Sequence, residues 1–325
     1  MRTGRGIMMK AEKVLRNPWI VAVLAVFCCA LWGSAFPFIK IGYQIYHIPS
    51  DAPGAQILFA GIRFTLAGVM AILFGSLVQR KWINPKKSAW GKIFRLSLLQ
   101  TALQYFFFYI GLAHTSGVKG SIIVGTNSLL SILIASLLFH QEKLTAKKLA
   151  GCLVGLAGVI LANLDGSGIG FDMSVTGEGF VFLSVVAYAF SSVMMKIYSK
   201  EENPVMLSGY QFILGGILLI VPGLALGGRI GLEGTDSVVR AVGVLLYLAF
   251  LSAAAYTIWG ILLKYNPVSK VAIYGFSNPV IGVFLSAMLL GETAQAFTIK
   301  NVVALVLVCA GILAVNVRIS GKDAA

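Results

Sequence analysis

Amide and aromatic side chains recur inside the long apolar runs of this sequence, where a polar group needs a partner other than bulk water. Gln100 and Gln104 are one helical turn apart, so an α-helix would place them on one face. Such amides could orient a polar solute in a cavity while aromatic rings cover its apolar part. The candidate lining residues are Trp32, Ser34, Arg63, Gln100, Gln104, Tyr105, Asn127, Tyr188, Ser192, Tyr256, Trp259, Tyr274 and Asn278. Packing between helices is the simpler explanation for any single residue, but the set as a whole predicts a cavity.

Arg63 is the charged side chain that lies deepest within an apolar run. It is on the order of 13 Å from the start of that run at the rise of an α-helix. A cation inside a bilayer is costly and is a functional candidate by default. Arg63 could donate to carbonyls at neighbouring helix ends, or form with Lys40 a positive vestibule that favours carboxylates. Lys40 and Lys196 are near the ends of their runs, so each can extend its amine to the nearest interface.

Catalytic and metal-binding groups are missing from the apolar runs. No Asp or Glu lies at the centre of a run, which argues against a proton relay through intramembrane carboxylates. The runs offer neither a nucleophile beside a base nor a carboxylate pair, so we expect no enzyme activity. The four cysteines form no metal-type pair, and we predict no metal and no cofactor. Glu142 and Glu292 close two runs, where interaction with neighbouring helix starts is the expected role.

The composition requires a membrane. Of the 325 residues, 58% are hydrophobic and 12% are charged, which is more apolar side chain than one soluble core could bury. The net charge of +14 falls in short gaps between the runs, so we expect no nucleic-acid partner. The predicted spans are 19–41, 54–77, 93–113, 119–139, 149–164, 177–198, 205–227, 240–262, 271–290 and 300–317. The run at 149–164 is short for a bilayer core of about 30 Å, which leaves eight or nine spans as alternatives.

The basic residues predict the orientation of these spans. With a cytoplasmic N-terminus, nineteen of the 26 Lys and Arg residues fall in inward segments and four fall in outward segments. This asymmetry follows the positive-inside rule and places both termini in the cytoplasm. Asn-Pro dipeptides precede spans one, three, seven and nine, where Asn can cap a helix and Pro fits its first position. They are Asn17-Pro18, Asn84-Pro85, Asn203-Pro204 and Asn266-Pro267.

The two halves of the chain repeat the same order of blocks. Residues 125–142 (GTNSLLSILIASLLFHQE) and 157–163 (AGVILAN) recur as 275–292 (GFSNPVIGVFLSAMLLGE) and 310–316 (AGILAVN). Further matches pair GIRFTLAG at 61–68 with GYQFILGG at 209–216, and WGSAFPFIK at 32–40 with YAFSSVMMK at 188–196. Five spans per half is an odd number, so the copies must enter the membrane from opposite faces as an inverted repeat.

With these motifs the chain resembles the EamA-like members of the drug/metabolite transporter superfamily, from about Trp19 to Asn316. The resemblance implies an all-α integral membrane protein with ten transmembrane helices in two inverted five-helix repeats. The predicted parts are a cytoplasmic segment (1–17), the first repeat (18–164), an extracytoplasmic linker (165–176), the second repeat (177–317) and a cytoplasmic tail (318–325). Asn278-Pro279 matches the family's usual proline in the ninth helix, whereas the first half has Ser128-Leu129.

The resemblance also implies a function. Members of this family are secondary transporters that work by alternating access, so we expect a bacterial-type inner-membrane permease or exporter of amino acids or related metabolites. Spans one, three, four, six, eight and nine would surround its cavity. An exchanger of carboxylate or phosphorylated metabolites, with Arg63 and Lys40 as ligands, is the alternative among transporters. A non-transporting receptor or assembly protein is the alternative of another class, although the short gaps between spans leave little room for a soluble domain.

The expected partners are a small-molecule solute and the lipid bilayer, and the protein is expected to be a monomer or a homodimer. Gly151, Gly155 and Gly158 form a stripe of small residues that lets another helix approach closely. That helix could belong to a second copy or to the same protomer.

Overall fold

The computed structural model describes residues 12–49, 51–115, 120, 123–163, 174–231, 238–290 and 299–316. Helices account for most of these residues, and the described ranges contain no strand. In chain order the helices are α1 (Pro18–Ile45), α2 (Pro53–Gln79), α3 (Lys87–Ala113), α4 (Ile123–Leu138), α5 (Ala146–Asn163), α6 (Val175–Tyr198), α7 (Pro204–Ala225), α8 (Val238–Tyr265), α9 (268–290) and α10 (Ile299–Asn316).

Seven helices in the described ranges are long and apolar enough to cross a membrane: α1, α2, α3, α6, α7, α8 and α10. Large apolar side chains are exposed on their outer faces, among them Phe74 at 55% and Val306 at 61%. Such exposure suits hydrocarbon, where each helix satisfies its own backbone hydrogen bonds and lipid covers the side chains. The chain is therefore an all-helical, multi-pass membrane protein, as its composition predicts.

Two of the four Asn-Pro dipeptides cap a helix as predicted. The Asn17 Oδ1 accepts a hydrogen bond from the Trp19 N–H (3.0 Å) at the start of α1. The Asn203 Oδ1 accepts one from the Val205 N–H (2.9 Å) at the start of α7. In both helices Pro is the first residue, where its missing N–H would have had no partner in the helix.

The other two Asn-Pro dipeptides do not cap a helix, which corrects the prediction. Asn84 accepts a hydrogen bond from the Tyr210 hydroxyl (3.3 Å). Asn266 donates to the carbonyl oxygens of Leu15 (2.9 Å) and Leu262 (3.0 Å). Both side chains therefore bond to groups outside the helix that follows. The two helices begin later in the chain, with Lys86 and Pro267 at the N-cap position, so each Asn lies ahead of the residue that could cap the helix.

α2 and α7 cross closely and run antiparallel. A Cβ atom built on Gly61 would lie 2.8 Å from the Gly216 carbonyl oxygen, and one built on Gly68 would lie 2.5 Å from the Gly209 carbonyl oxygen. As the residue number rises along α2, the number of the contacted residue in α7 falls, so the two helices run in opposite directions. Small residues such as glycine allow helix backbones to approach this closely.

The Gly151 to Gly158 stripe packs within the protomer. A Cβ atom on Gly151 would lie 2.9 Å from the Gly311 carbonyl oxygen, and one on Gly158 would lie 2.8 Å from the Ala304 carbonyl oxygen. α5 and α10 therefore form a second antiparallel crossing through small residues. Of the two alternatives for this stripe, the structure supports packing inside one chain.

Hydrogen bonds identify the two ends of the bundle. At the first end, Lys92 near the start of α3 donates to Glu201 (2.6 Å) and Glu202 (3.1 Å) just past α6, and the bond from Lys92 lowers the pKa of the Glu201 carboxyl. At the second end, the Tyr46 hydroxyl just past α1 donates to the Ala241 carbonyl oxygen (2.9 Å) near the start of α8. Similar contacts place the starts of α1, α3, α7 and α9 at the first end, together with the ends of α2, α4, α6 and α8.

Glu142 lies at the first end and contacts a helix start, as predicted. Its carboxylate accepts hydrogen bonds from the backbone N–H of Ser269 (2.8 Å), near the start of α9, and from the Ser269 hydroxyl. Lys148 also donates to it (2.6 Å). A carboxylate at a helix N-terminus is stabilised by the free N–H groups there. Glu292, its counterpart in the second half, lies outside the described residues.

Candidate functional site

A cavity of about 150 Å³ lies between the helices. It receives side chains from α1, α3, α4, α6, α8 and α9, the six helices that the family resemblance implies, and Arg63 adds α2. The lining residues are Trp32, Ala35, Ile39, Arg63, Gln104, Tyr105, Phe108, Tyr109, Val124, Asn127, Ser128, Ser131, Ser184, Tyr188, Tyr256, Trp259, Ala272, Gly275, Asn278 and Pro279.

Aromatic rings that support one another form one wall of the cavity. Trp32 packs edge to face against Tyr256 and Trp259, with ring centroids 5.0 Å and 4.9 Å apart. The Tyr256 hydroxyl shares a hydrogen bond of 2.9 Å with the Tyr105 hydroxyl. Edge-to-face pairs favour one geometry over others, and the hydroxyl pair ties α8 to α3. This wall is therefore a rigid surface against which an apolar group can pack.

Arg63 is a buried cation with unused hydrogen-bond donors. Its side chain is 3% exposed, and neither Nε nor Nη1 has a hydrogen-bond partner among the described residues. The guanidinium carbon lies 4.5 Å from the centroid of the Phe64 ring, which supplies cation–π attraction but accepts no ordinary hydrogen bond. A buried charge without a counter-charge is costly. The arrangement therefore suits an anionic group that enters the cavity with a ligand.

The remaining polar groups of the cavity are neutral. The amide oxygens of Gln104, Asn127 and Asn278 are buried and have no hydrogen-bond partner within the described ranges, and the same is true of the Trp32 and Trp259 indole nitrogens. Each amide can present its oxygen or its nitrogen to a ligand. None of the described lining residues is Asp or Glu, and no group of three His, Cys, Asp or Glu side chains in the described ranges could hold a metal ion.

The structure brings nine of the thirteen sequence-predicted residues to the cavity: Trp32, Arg63, Gln104, Tyr105, Asn127, Tyr188, Tyr256, Trp259 and Asn278. Ser34 is elsewhere, because its hydroxyl bonds to the Leu31 carbonyl oxygen and the Tyr247 hydroxyl, both at 2.7 Å. Ser192 and Tyr274 are 1% and 7% exposed and pack between helices. Solute binding remains a prediction for the whole set.

Gln100 also lies outside the cavity, although the sequence predicts a face shared with Gln104. α3 is π-helical over Ser97–Leu103, and a π-turn contains more residues than an α-turn. The angle between side chains four residues apart is therefore different from that in an α-helix, and Gln100 is rotated around α3 relative to the position that the sequence predicts. Gln104 lines the cavity, whereas Gln100 is 3% exposed between helices.

Several lining residues were not predicted, although helical spacing could have found them. Ser131 comes four residues after Asn127, and Ser184 comes four residues before Tyr188. Side chains four residues apart share a helix face, so each predicted lining residue points to a second candidate one turn away on the same helix. The apolar lining residues, such as Ala35, Ile39 and Ala272, carry no such signal.

Comparison with known proteins gives one family. The sequence profile of the EamA-like transporter family matches residues 19–164 and 175–317. A Bacillus subtilis protein named as the uncharacterized transporter YvbV is 25% identical over 305 residues, which cover 94% of each chain. A Salmonella typhimurium protein named as a probable amino-acid metabolite efflux pump is 29% identical, over 86% of this chain and 90% of that one. A solved crystal structure matches 90% of this chain and 95% of its own with a TM-score of 0.69 at 19% identity, a likeness in fold alone.

Proposed function

Since the chain belongs to the EamA-like transporter family, we propose that it is a secondary active transporter of small metabolites that works by alternating access. Its solutes are amino acids or related compounds, the class that appears in the name of its Salmonella relative. The cavity holds the solute near the middle of the bilayer while one half of the bundle moves against the other. An ion gradient or exchange for a second solute drives the cycle.

The unpartnered groups of the cavity carry this proposal. Arg63 offers a cation with free N–H donors, and Gln104, Asn127 and Asn278 offer neutral amide oxygens. A carboxylate fits the guanidinium, and an ammonium group fits the amide oxygens. The aromatic wall around Trp32 can cover an apolar side chain. A zwitterionic amino acid presents these three features in one small molecule.

An exchanger of carboxylate or phosphorylated metabolites is the second candidate, and the unpartnered Arg63 favours it. Arg63 is the single cation among the described lining residues, and one guanidinium neutralises one negative charge. A phosphate near neutral pH carries up to two charges, so a monocarboxylate is the better match. Lys40 is not among these residues; it lines a shallow recess at the second end with Tyr43 and His47.

Ten crossings in two inverted five-helix repeats form the proposed architecture, and the glycine contacts support it. The sequence aligns Gly61 with Gly209 and Gly68 with Gly216, yet in the structure Gly61 meets Gly216 and Gly68 meets Gly209. The crossing of α5 and α10 exchanges its partners in the same way, through Gly151 with Gly311 and Gly158 with Ala304. Exchange of equivalent positions is the signature of two-fold symmetry, and a two-fold axis in the membrane plane relates inverted repeats.

The first end of the bundle is proposed to face the cytoplasm of a bacterial-type inner membrane, with both termini on that side. The basic segments at Arg80, Lys81, Lys86 and Lys87 lie at this end, next to the carboxylates that follow α6. The excess of Lys and Arg over the other end supports this orientation.

A thermal-shift screen of the purified protein in detergent tests the choice of solute. An amino acid that binds should raise the melting temperature, because a ligand at 100 times its Kd stabilises the folded state by about 2.7 kcal/mol. The matched control is the amine that lacks the carboxylate of the same amino acid. The amine should give a much smaller shift if Arg63 binds the carboxylate. An equal shift for both compounds would contradict this arrangement.

Proteoliposomes distinguish a transporter from a receptor or an assembly protein. The solute identified by thermal shift should accumulate in vesicles when a gradient or a counter-solute is supplied. Binding without flux under any gradient would favour the non-transporting class.

A pair of glutamine substitutions tests whether the cavity is the binding site. Gln104→Leu should weaken solute binding by roughly 5- to 10-fold, the effect of losing one hydrogen bond of about 1 kcal/mol. Gln100→Leu is the matched control, since Gln100 belongs to the same helix but lies outside the cavity. Isothermal titration calorimetry measures both. Equal losses would show that the polar face of α3, and not the cavity, matters for binding.

A further inference from the structure

Lys196 near the end of α6 is bound to the end of α8. Its side chain was expected to extend to the interface, but it is 9% exposed and its amine donates hydrogen bonds to the carbonyl oxygens of Leu263 (3.1 Å) and Asn266. The last carbonyls of a helix lack partners within the helix and carry a partial negative charge. Lys196 therefore acts as a cationic cap on α8 at the first end of the bundle.

The connection between α8 and α9 is held from several sides. Asn266 donates to Leu15 ahead of α1, and Glu142 past α4 accepts from the backbone N–H of Ser269 near the start of α9. Lys196, Asn266 and Glu142 thus join four parts of the bundle at one connection. Leu262 on α8 and Val271 on α9 lie along the chain between this connection and the lining residues Trp259 and Ala272, and both are fully buried. Packed side chains therefore separate the connection from the cavity along both helices.

Lys40 is the counterpart of Lys196 at the other end of the bundle. The blocks 32–40 and 188–196 align, with a lysine as the last residue of each. Lys40 lies in the last turns of α1, close to the second end, where its side chain is exposed. Among the described residues no hydrogen bond or ion pair involves its amine. The two equivalent lysines are therefore in opposite states, one bound to a helix end and one free.

We propose that Lys196 and Lys40 are paired gating residues: Lys196 holds the first end closed in the conformation seen here, and Lys40 holds the second end closed in the opposite conformation. The proposal rests on the alternating-access function proposed above. In the opposite conformation Lys196 is released, and Lys40 donates to the carbonyl oxygens at the end of α3, the repeat counterpart of α8.

The symmetry of the fold is the physical reason for pairing Lys196 with Lys40. If two inverted repeats exchange conformations during transport, a contact made by one repeat in one state is made by the other repeat in the next. A side chain shifts the equilibrium between two states only when its interactions differ between them. Lys196 meets this condition, because opening the first end separates its amine from the two carbonyl oxygens.

Cysteine labelling of the purified protein in detergent tests the gate without assuming transport. Val271→Cys reports opening of the first end and Ile39→Cys reports opening of the second, in a background where the exposed Cys309 is replaced by serine. The other three cysteines are buried. Lys196→Met should increase the rate of maleimide labelling at Val271→Cys by about tenfold, a factor within the range of a charge at a helix end, and should slow labelling at Ile39→Cys. Lys196→Arg, which keeps the cation, should stay near the parent.

Lys40→Met tests the pairing. It should leave labelling at Val271→Cys slow, since Lys40 makes no contact in this state, and should reduce solute flux at least as strongly as Lys196→Met. Lys196→Gln serves in place of Lys196→Met if the latter does not fold. An unchanged rate at Val271→Cys, or equal acceleration at both reporters, would rule out Lys196 as a gate. Normal flux in Lys40→Met would rule out the pairing. Absence of flux in the parent with any solute would instead count against the proposed function, and the labelling result would stand independently.

Discussion

Replacement of Arg63 with glutamine is expected to weaken binding of carboxylate-bearing solutes by roughly 10- to 100-fold, since a hydrogen bond to a charged group contributes about 1.5–3 kcal/mol. Glutamine is the residue that the second half carries at the equivalent position, Gln211, so the helix can accommodate it. The substitution removes the positive charge that faces the cavity and keeps a polar side chain. Titration calorimetry with the best solute from the thermal-shift screen measures the change.

Two controls make the Arg63 result specific. The decarboxylated amine of the same solute should bind Arg63→Gln as well as it binds the parent, because it has no anion to lose. Arg63→Lys should recover part of the affinity, since it restores the charge but not the planar fork of the guanidinium. If Arg63→Gln binds the solute normally but gives a poor yield of folded protein, Arg63 has a structural role in the packing of α2.

Addition of one methyl group at Gly68 is expected to destabilise the fold by about 1–3 kcal/mol, the usual cost of overpacking a filled interior. A Cβ atom there would lie 2.5 Å from the Gly209 carbonyl oxygen and 2.6 Å from the Ile213 backbone nitrogen. Because these are backbone atoms, no change of rotamer relieves the clash, and α2 must move away from α7. The midpoint of thermal unfolding in detergent for Gly68→Ala measures the loss.

Gly243 provides the matched control for this substitution. It lies in α8, and a Cβ atom built on it meets no atom within 4 Å. Gly243→Ala should therefore be neutral or slightly stabilising, because alanine is the better helix former by up to about 1 kcal/mol. Equal effects at Gly68 and Gly243 would mean that α2 and α7 are not in close contact in the membrane protein.

The class of the protein and its family could be predicted from the sequence because both depend on features that are local along the chain. Hydropathy over a run of about 20 residues is enough to predict a membrane helix, whatever the helix packs against. Order and spacing of the blocks around Gly125 and Gly275 were enough to indicate the family. The Pro residues at the starts of α1 and α7 gave those helix boundaries to within a residue or two.

The predictions that the structure corrects are those that depend on local helix geometry or on neighbouring helices. The π-helical segment Ser97–Leu103 rotates Gln100 around α3 relative to Gln104, and no periodicity in the sequence marks it. Asn84 and Asn203 each precede a proline, yet only Asn203 caps a helix, because α3 begins at Lys87 and Asn84 instead accepts a hydrogen bond from the Tyr210 hydroxyl. The apolar lining residue Ile39 looks like any core residue until the cavity is seen.

The exchanged glycine contacts have a consequence for the ancestry of the chain. In a pair of identical half-length proteins related by a two-fold axis, the positions of Gly61 and Gly68 would contact each other twice, once in each direction. Every mutation in such an ancestor would alter both copies at once. Joining the copies into one gene lets each contact change alone, and it lets one copy hold Arg63 while the other holds Gln211. A single chain that holds both copies can therefore differ between them, as it does at Arg63 and Gln211.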